Sequence, residues 1–96
     1  MLTRETILET LRDMKPELTE KYKLRSIALF GSYARGEQTS ESDVDVLVDV
    51  DPVIGLGFVE MADAIEARLG IRTDVVPVDG VKPRYRDFIQ KDVVYV

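Results

Sequence analysis

The stretch that decides the fold is Phe30-Gly31-Ser32-Tyr33-Ala34-Arg35-Gly36, followed after a polar run by Ser42-Asp43-Val44-Asp45-Val46-Leu47-Val48-Asp49-Val50. Residues 25–30 are short and apolar and stop at Gly31-Ser32, which predicts a buried strand. Residues 43–50 predict a second strand, with Val44, Val46 and Val48 facing one way and Asp43, Asp45, Leu47 and Asp49 the other. The glycine-serine pair then lies where a strand turns into a short helix, and unpaired amide N–H groups at a helix start attract phosphate. Gly31 lets the backbone approach an anion, and Ser32 adds a hydroxyl at the N-cap. Arg35, one turn on, either pairs with a phosphate or holds the loop, and Gly36 releases the chain.

Working outward, Ile7, Leu11, Met14 and Leu18 recur at three- and four-residue steps and predict an amphipathic helix over 3–14 with Thr3 as its N-cap. Pro16 is expected to break it near Lys15, leaving a second short turn over 17–22. Residues 57–69 predict the clearest helix, with Phe58, Ala62, Ile65 and Leu69 on one face, Met61 beside them and Gly70 as the stop. Residues 72–78 predict a third strand whose Pro77 belongs at an edge or a strand terminus. Asp79-Gly80 is a turn, Pro83 opens a short helix over 83–91, and residues 93–96 form a small apolar segment. The order α-β-(short α)-β-α-β-α predicts one α/β (α+β) domain over residues 1–96. Its sheet should be small, three- to four-stranded and mixed, with helices mainly on one face.

Composition narrows the chemistry. With 13 Lys+Arg against 18 Asp+Glu the net charge is −5, and the chain has no Cys, His or Trp. Disulfides, thiolate zinc sites, thiol nucleophiles, imidazole bases and Ser-His-Asp triads are excluded. Catalysis must lean on carboxylates and the cations they hold. The acidic balance argues against direct high-affinity binding to nucleic acid. No apolar run reaches the roughly 18–20 residues that span a bilayer, and the start at Met1-Leu2-Thr3-Arg4 reads as a polar helical start rather than a signal peptide. A cytoplasmic protein without membrane contact is the expectation.

Asp43 and Asp45 are two apart on a strand, so their carboxylates project from one face. Two like charges ~4 Å apart repel by about 4 kcal/mol at an effective dielectric of 20. A divalent cation reverses that sign, and Mg²⁺ favours a few carboxylates together with substrate phosphates. Gly-Ser-x10-Asp-x-Asp arises by chance on the order of once per thousand chains of this length at average residue frequencies, so the combination is far more specific than either half.

Gly31-Ser32-Tyr33-Ala34-Arg35-Gly36 with Ser42-Asp43-Val44-Asp45 resembles the signature of the DNA polymerase β-like nucleotidyltransferase superfamily. More closely, the chain is similar to the minimal nucleotidyltransferases paired with HEPN-domain proteins in toxin–antitoxin systems, over nearly its whole length and including Lys82-Pro83-Arg84-Tyr85. The resemblance implies the polymerase β-like nucleotidyltransferase fold, ATP as substrate and two Mg²⁺ ions in a two-metal mechanism. It also implies an antitoxin that transfers AMP to a tyrosine hydroxyl of a HEPN-domain toxin, in a hetero-oligomer with it. Carried onto this chain, it places metal-holding and catalytic roles on Asp43, Asp45 and Asp74 and nucleotide binding on Gly31, Ser32, Arg35 and Ser42. Asp74 matches the family's third acid and stands among apolar strand residues, where an acid is otherwise unexpected. Asp49, about 13 Å along the strand from Asp45, and Asp79, accounted for by its Asp-Gly turn, rank below it. A binding module that neutralises its partner by covering it is the alternative, because the chain has little room for an acceptor-binding domain of its own. Tyr22 and Tyr33 read as packing residues, and Lys82, Arg84, Arg86 and Lys91 as a solvated helix face.

Overall fold

Four strands form one mixed sheet in the order β3-β2-β1-β4, in a computed structural model that describes residues 2–96. The strands are β1 (Leu24–Phe30), β2 (Val44–Val50), β3 (Thr73–Pro77) and β4 (Val94–Tyr95), and the helices α1 (Arg4–Tyr22), α2 (Ser32–Arg35), α3 (Gly57–Leu69) and α4 (Pro83–Gln90). β2 runs antiparallel to β1 and parallel to β3. A parallel neighbour requires a crossover, and α3 supplies it. Pro77 ends the edge strand β3, where its missing N–H costs no ladder bond.

The alternation read in β2 sets the layers. Val44, Val46 and Val48 are buried in one core with Ile27 and Leu29 of β1. Ile7, Leu11, Met14 and Leu18 of α1 and Met61, Ile65 and Leu69 of α3 close over them. Each fully buried side chain of this kind contributes about 1.5–3 kcal/mol. A register shift between Leu24 and Ser26 resets the phase of β1, so that Leu24 joins Ile27 and Leu29 in the same core. α1 and α3 thus cover one face. On the other, α4 buries none of its residues, and it shares a cavity of about 250 Å³ with Leu47 and Tyr95.

One expectation is corrected. α1 does not break at Pro16 but runs unbroken from Arg4 to Tyr22. Pro16 and Arg12 are both exposed, so the hydrogen bond that proline removes falls on the water side, where solvent satisfies the Arg12 carbonyl. Leu18 and Tyr22 meanwhile continue the buried stripe of Leu11 and Met14 and hold the second half in register. Restoring the amide with Pro16→Ala is expected to stabilise the fold by about 1–2 kcal/mol in urea denaturation. That is less than the full ~3 kcal/mol for an interior helix proline, because proline also restrains the unfolded chain.

Candidate active site

The site grows from the end of β1. Phe30 lies opposite Asp45 in the antiparallel ladder, and Asp45 lies opposite Asp74 in the parallel one. The sheet register therefore sets two carboxylates side by side, with Asp43 one residue ahead of β2. Gly31 follows Phe30 with φ 78° and ψ −155°, a conformation that only glycine adopts readily. A Cβ at this position would collide with the Asp45 carboxylate and stand 3.1 Å from its Cγ. The absence of a side chain is what lets the turn press onto the acid.

Gly31, not Ser32, occupies the N-cap of α2, and Ser32 is its first helical residue. The amide of Arg35 donates to the Gly31 carbonyl at 3.1 Å, which closes the single turn. Gly36 releases the chain with φ 72°. Tyr33 is buried in the core, as a packing residue should be. Ser42 shapes the polar loop, its hydroxyl accepting from the Thr39 amide at 2.9 Å. Arg35 is held from two sides, by Glu37 at 3.2 Å and by Asp92 at 3.0 Å.

Asp45 is the electrostatic centre. Burial in the strand, then Asp74, then Asp43 push its carboxyl up to about 6, with Arg35 opposing. Asp45 with Asp43 and Asp74 fits a hard divalent cation, since the donors are all carboxylate oxygens and the cation would relieve their repulsion. Among the described residues no three acidic side chains are drawn together as tightly as a bound metal ion would hold them. Two clefts meet at Asp45. One, of about 300 Å³, is lined by Gly31, Ser32, Arg35, Phe88 and Asp92. The other, of about 380 Å³, is lined by Asp74, Lys82, Tyr85 and Ile89.

The two lower-ranked acids lie elsewhere. Asp49 pairs with Arg25 at 3.5 Å and lines a different cavity together with Asp79, which belongs to a 3₁₀ turn over Val78–Gly80. Asp92, Lys82 and Tyr85 were not singled out as site residues by sequence reasoning. Asp92 lies 57 positions from Arg35, and no local pattern announces so distant a partner. Lys82 and Tyr85 belong to the segment read as a solvated face, and only the folding of α4 toward Asp74 gives them a place. The Arg35–Asp92 pair is partly exposed, so a double-mutant cycle of Arg35→Ala and Asp92→Ala in urea is expected to return a small favourable coupling that shrinks as salt is added.

A strand, a glycine turn against an acid and a short helix, beside a second strand bearing paired acids, form the architecture of a nucleotide-transferring enzyme. Residues 11–96 match the family described as the nucleotidyltransferase domain. The protein adenylyltransferase MntA of Thermococcus cleftensis is 42% identical over 97 residues, covering 100% of this chain and 98% of that protein. A Methanocaldococcus jannaschii chain assigned as a protein adenylyltransferase is 41% identical over 98 residues, with 100% of each covered. Among solved structures, one assigned to the minimal nucleotidyltransferases superposes with a TM-score of 0.77 at 31% identity, over 97% of this chain and 95% of that one. A chain of a toxin–antitoxin complex solved with AMP-PNP superposes with a TM-score of 0.69 at 26% identity, over 98% of this chain and 72% of that one. The chain belongs to the nucleotidyltransferase domain family, in its minimal nucleotidyltransferase branch.

Proposed function

We propose that the chain transfers AMP from ATP to a hydroxyl of a partner protein, a tyrosine of a HEPN-domain toxin, and so acts as its antitoxin. The observation that carries this reading is the register that sets Asp45 beside Asp74 under the Gly31 turn, with two clefts meeting at Asp45. The relatives named as protein adenylyltransferases support the reaction class, and the similar toxin–antitoxin chain solved with AMP-PNP supports both the nucleotide and the partner.

In this reading Asp43, Asp45 and Asp74 would hold two Mg²⁺ ions, which would supply positive charge to offset that of the triphosphate. The chain's own residues do the rest. The Gly31 backbone and the Ser32 hydroxyl contact the β- and γ-phosphates, and Arg35, set in place by Glu37 and Asp92, adds a positive charge. Ser42 closes the turn of the polar loop through the Thr39 amide. Asp74, exposed at the mouth of the second cleft, takes the proton of the attacking hydroxyl. The test is to incubate the chain with Mg²⁺, ATP and the protein encoded beside it, then map the partner's peptides by mass. AMP on a partner tyrosine is expected, and AMP only on serine or threonine, or on no residue, overturns the acceptor assignment.

A second reading, neutralisation by complex formation alone, is favoured by the apolar residues that the turn before α3 and the helix itself leave in water. Leu56 is 88% exposed and Val53 69%, more than a chain without a partner needs to show at one place. Leu56→Asp is expected to weaken partner binding at least about tenfold, the loss of one well-buried interface anchor, with ATP affinity unchanged in calorimetry. Neutralisation that survives loss of the carboxylates but not Leu56→Asp would establish binding over transfer.

A further inference from the structure

We propose that Tyr85 is itself an AMP acceptor, so that the chain modifies its own α4 when no partner hydroxyl fills the acceptor side of the site; this rests on the transferase reading above. Displacement at the α-phosphorus is in line, with the entering oxygen opposite the leaving one. Gly31, Ser32 and Arg35 line one of two adjoining clefts that share Phe30, Asp45 and Ile89, and we assign the phosphates and the departing pyrophosphate to it. The attacking oxygen is assigned to the second cleft, because Asp74, which takes its proton, lines that one. Tyr85 lines that same cleft and is 50% exposed.

The other three tyrosines of the chain are placed differently. Tyr33 is buried at 2% exposure, and Tyr22, at 6%, donates its hydroxyl hydrogen to Glu60 at 3.0 Å. Tyr95 is exposed but lines the cavity beside Leu47 and Arg86, which none of Asp43, Asp45 and Asp74 lines. α4 buries no residue, so little packing has to be given up for Tyr85 to move over Asp74. Such loosely packed elements open at low free-energy cost.

The step balances without a further reagent. The Tyr85 Oη forms a bond to the α-phosphorus of ATP, and the bond from that phosphorus to the bridging oxygen of the β-phosphate breaks. Pyrophosphate leaves with the electron pair, and the phenolic proton passes to the Asp74 carboxylate and then to solvent. The product is a phosphodiester that fills the acceptor side, so the reaction stops at one AMP per chain.

The test uses the full chain alone with Mg²⁺ and ATP, read by intact mass and then by cleavage after aspartate, which isolates residues 80–87 with Tyr85 as their one tyrosine. One AMP on that peptide is expected in the wild type and none in Tyr85→Phe or Asp45→Asn. AMP retained in Tyr85→Phe, or mapped to Tyr95, overturns the proposal. Wild type that stays unmodified while the same preparation labels its partner overturns self-modification and leaves the transferase reading standing; wild type that labels neither itself nor the partner overturns both. Independently of turnover, an ATP analogue with a methylene bridge between the α- and β-phosphorus should protect Tyr85, and not Tyr95, from nitration by tetranitromethane. Equal nitration of the two with the analogue bound removes Tyr85 from the site.

Discussion

Asp45→Asn is expected to abolish nucleotidyl transfer while making the metal-free fold more stable at neutral pH. Transfer should fall by about 10³-fold, the scale seen when one group stabilising transition-state charge is removed. Stability should rise because Asp45 is partly buried in its strand and faces Asp74 and Asp43, so its charged form is disfavoured in the folded chain. Its carboxyl is pushed up to about 6 from the ordinary 3.8, and the folded state therefore binds the proton more tightly than the unfolded chain. This group's contribution is present in full below about pH 3.8 and is lost as pH rises through about 6. Discounted for solvent screening of a partly exposed group, the gain in Asp45→Asn at pH 7 is about 1 kcal/mol. Urea denaturation of both proteins without metal, from pH 4 to pH 7, is expected to show wild type losing ground to the variant across that window. A difference that stays flat with pH contradicts the assignment of Asp45 as the destabilised acid.

Gly31→Ala carries the second large effect, on stability and activity together. Its φ of 78° with ψ −155° lies where a side chain costs about 1–3 kcal/mol. The added Cβ also meets the Asp45 carboxylate itself, so either the turn or the acid must move. A loss of about 2–4 kcal/mol follows, equivalent to a fall in Tm of about 10 °C or more in a domain of this size, with ATP affinity lost as well. Gly36→Ala provides the contrast. Its φ of 72° is equally left-handed, but a Cβ there meets nothing within 4 Å, so a cost of about 1–2 kcal/mol and retained transfer are expected. Equal losses of transfer in the two variants would remove the special role given to the Gly31–Asp45 contact.

Much of this fold is legible in the chain because its periodicities are strong and local. α3 occupies the predicted span, Gly57–Leu69, and β2 starts one residue later than its alternation suggested. Within α3 the buried stripe centres on Met61, Ile65 and Leu69, with Phe58 only packed against its edge. The mixed sheet was expected from the element order, but the parallel β2–β3 pairing and the register that sets Asp45 against Asp74 came only from the ladder. What was illegible was non-local. Pro16 carries a breaking signal that two later apolar residues override through tertiary burial. The two-residue β4 exists only because Tyr95 and Val94 find Ala28 and Leu29, and nothing in a four-residue apolar run names that partner. Asp92 reaches Arg35 through the same return of the chain.

Transfer of AMP is decided by following label from ATP marked at the α-phosphorus, or separately at the γ-phosphorus, into the co-purified partner with wild type and Asp45→Asn side by side. α-Label covalently on the partner with wild type, no γ-label, and no transfer by Asp45→Asn are expected. Absence of α-label with wild type, or equal labelling by the two proteins, would contradict AMP transfer by this site.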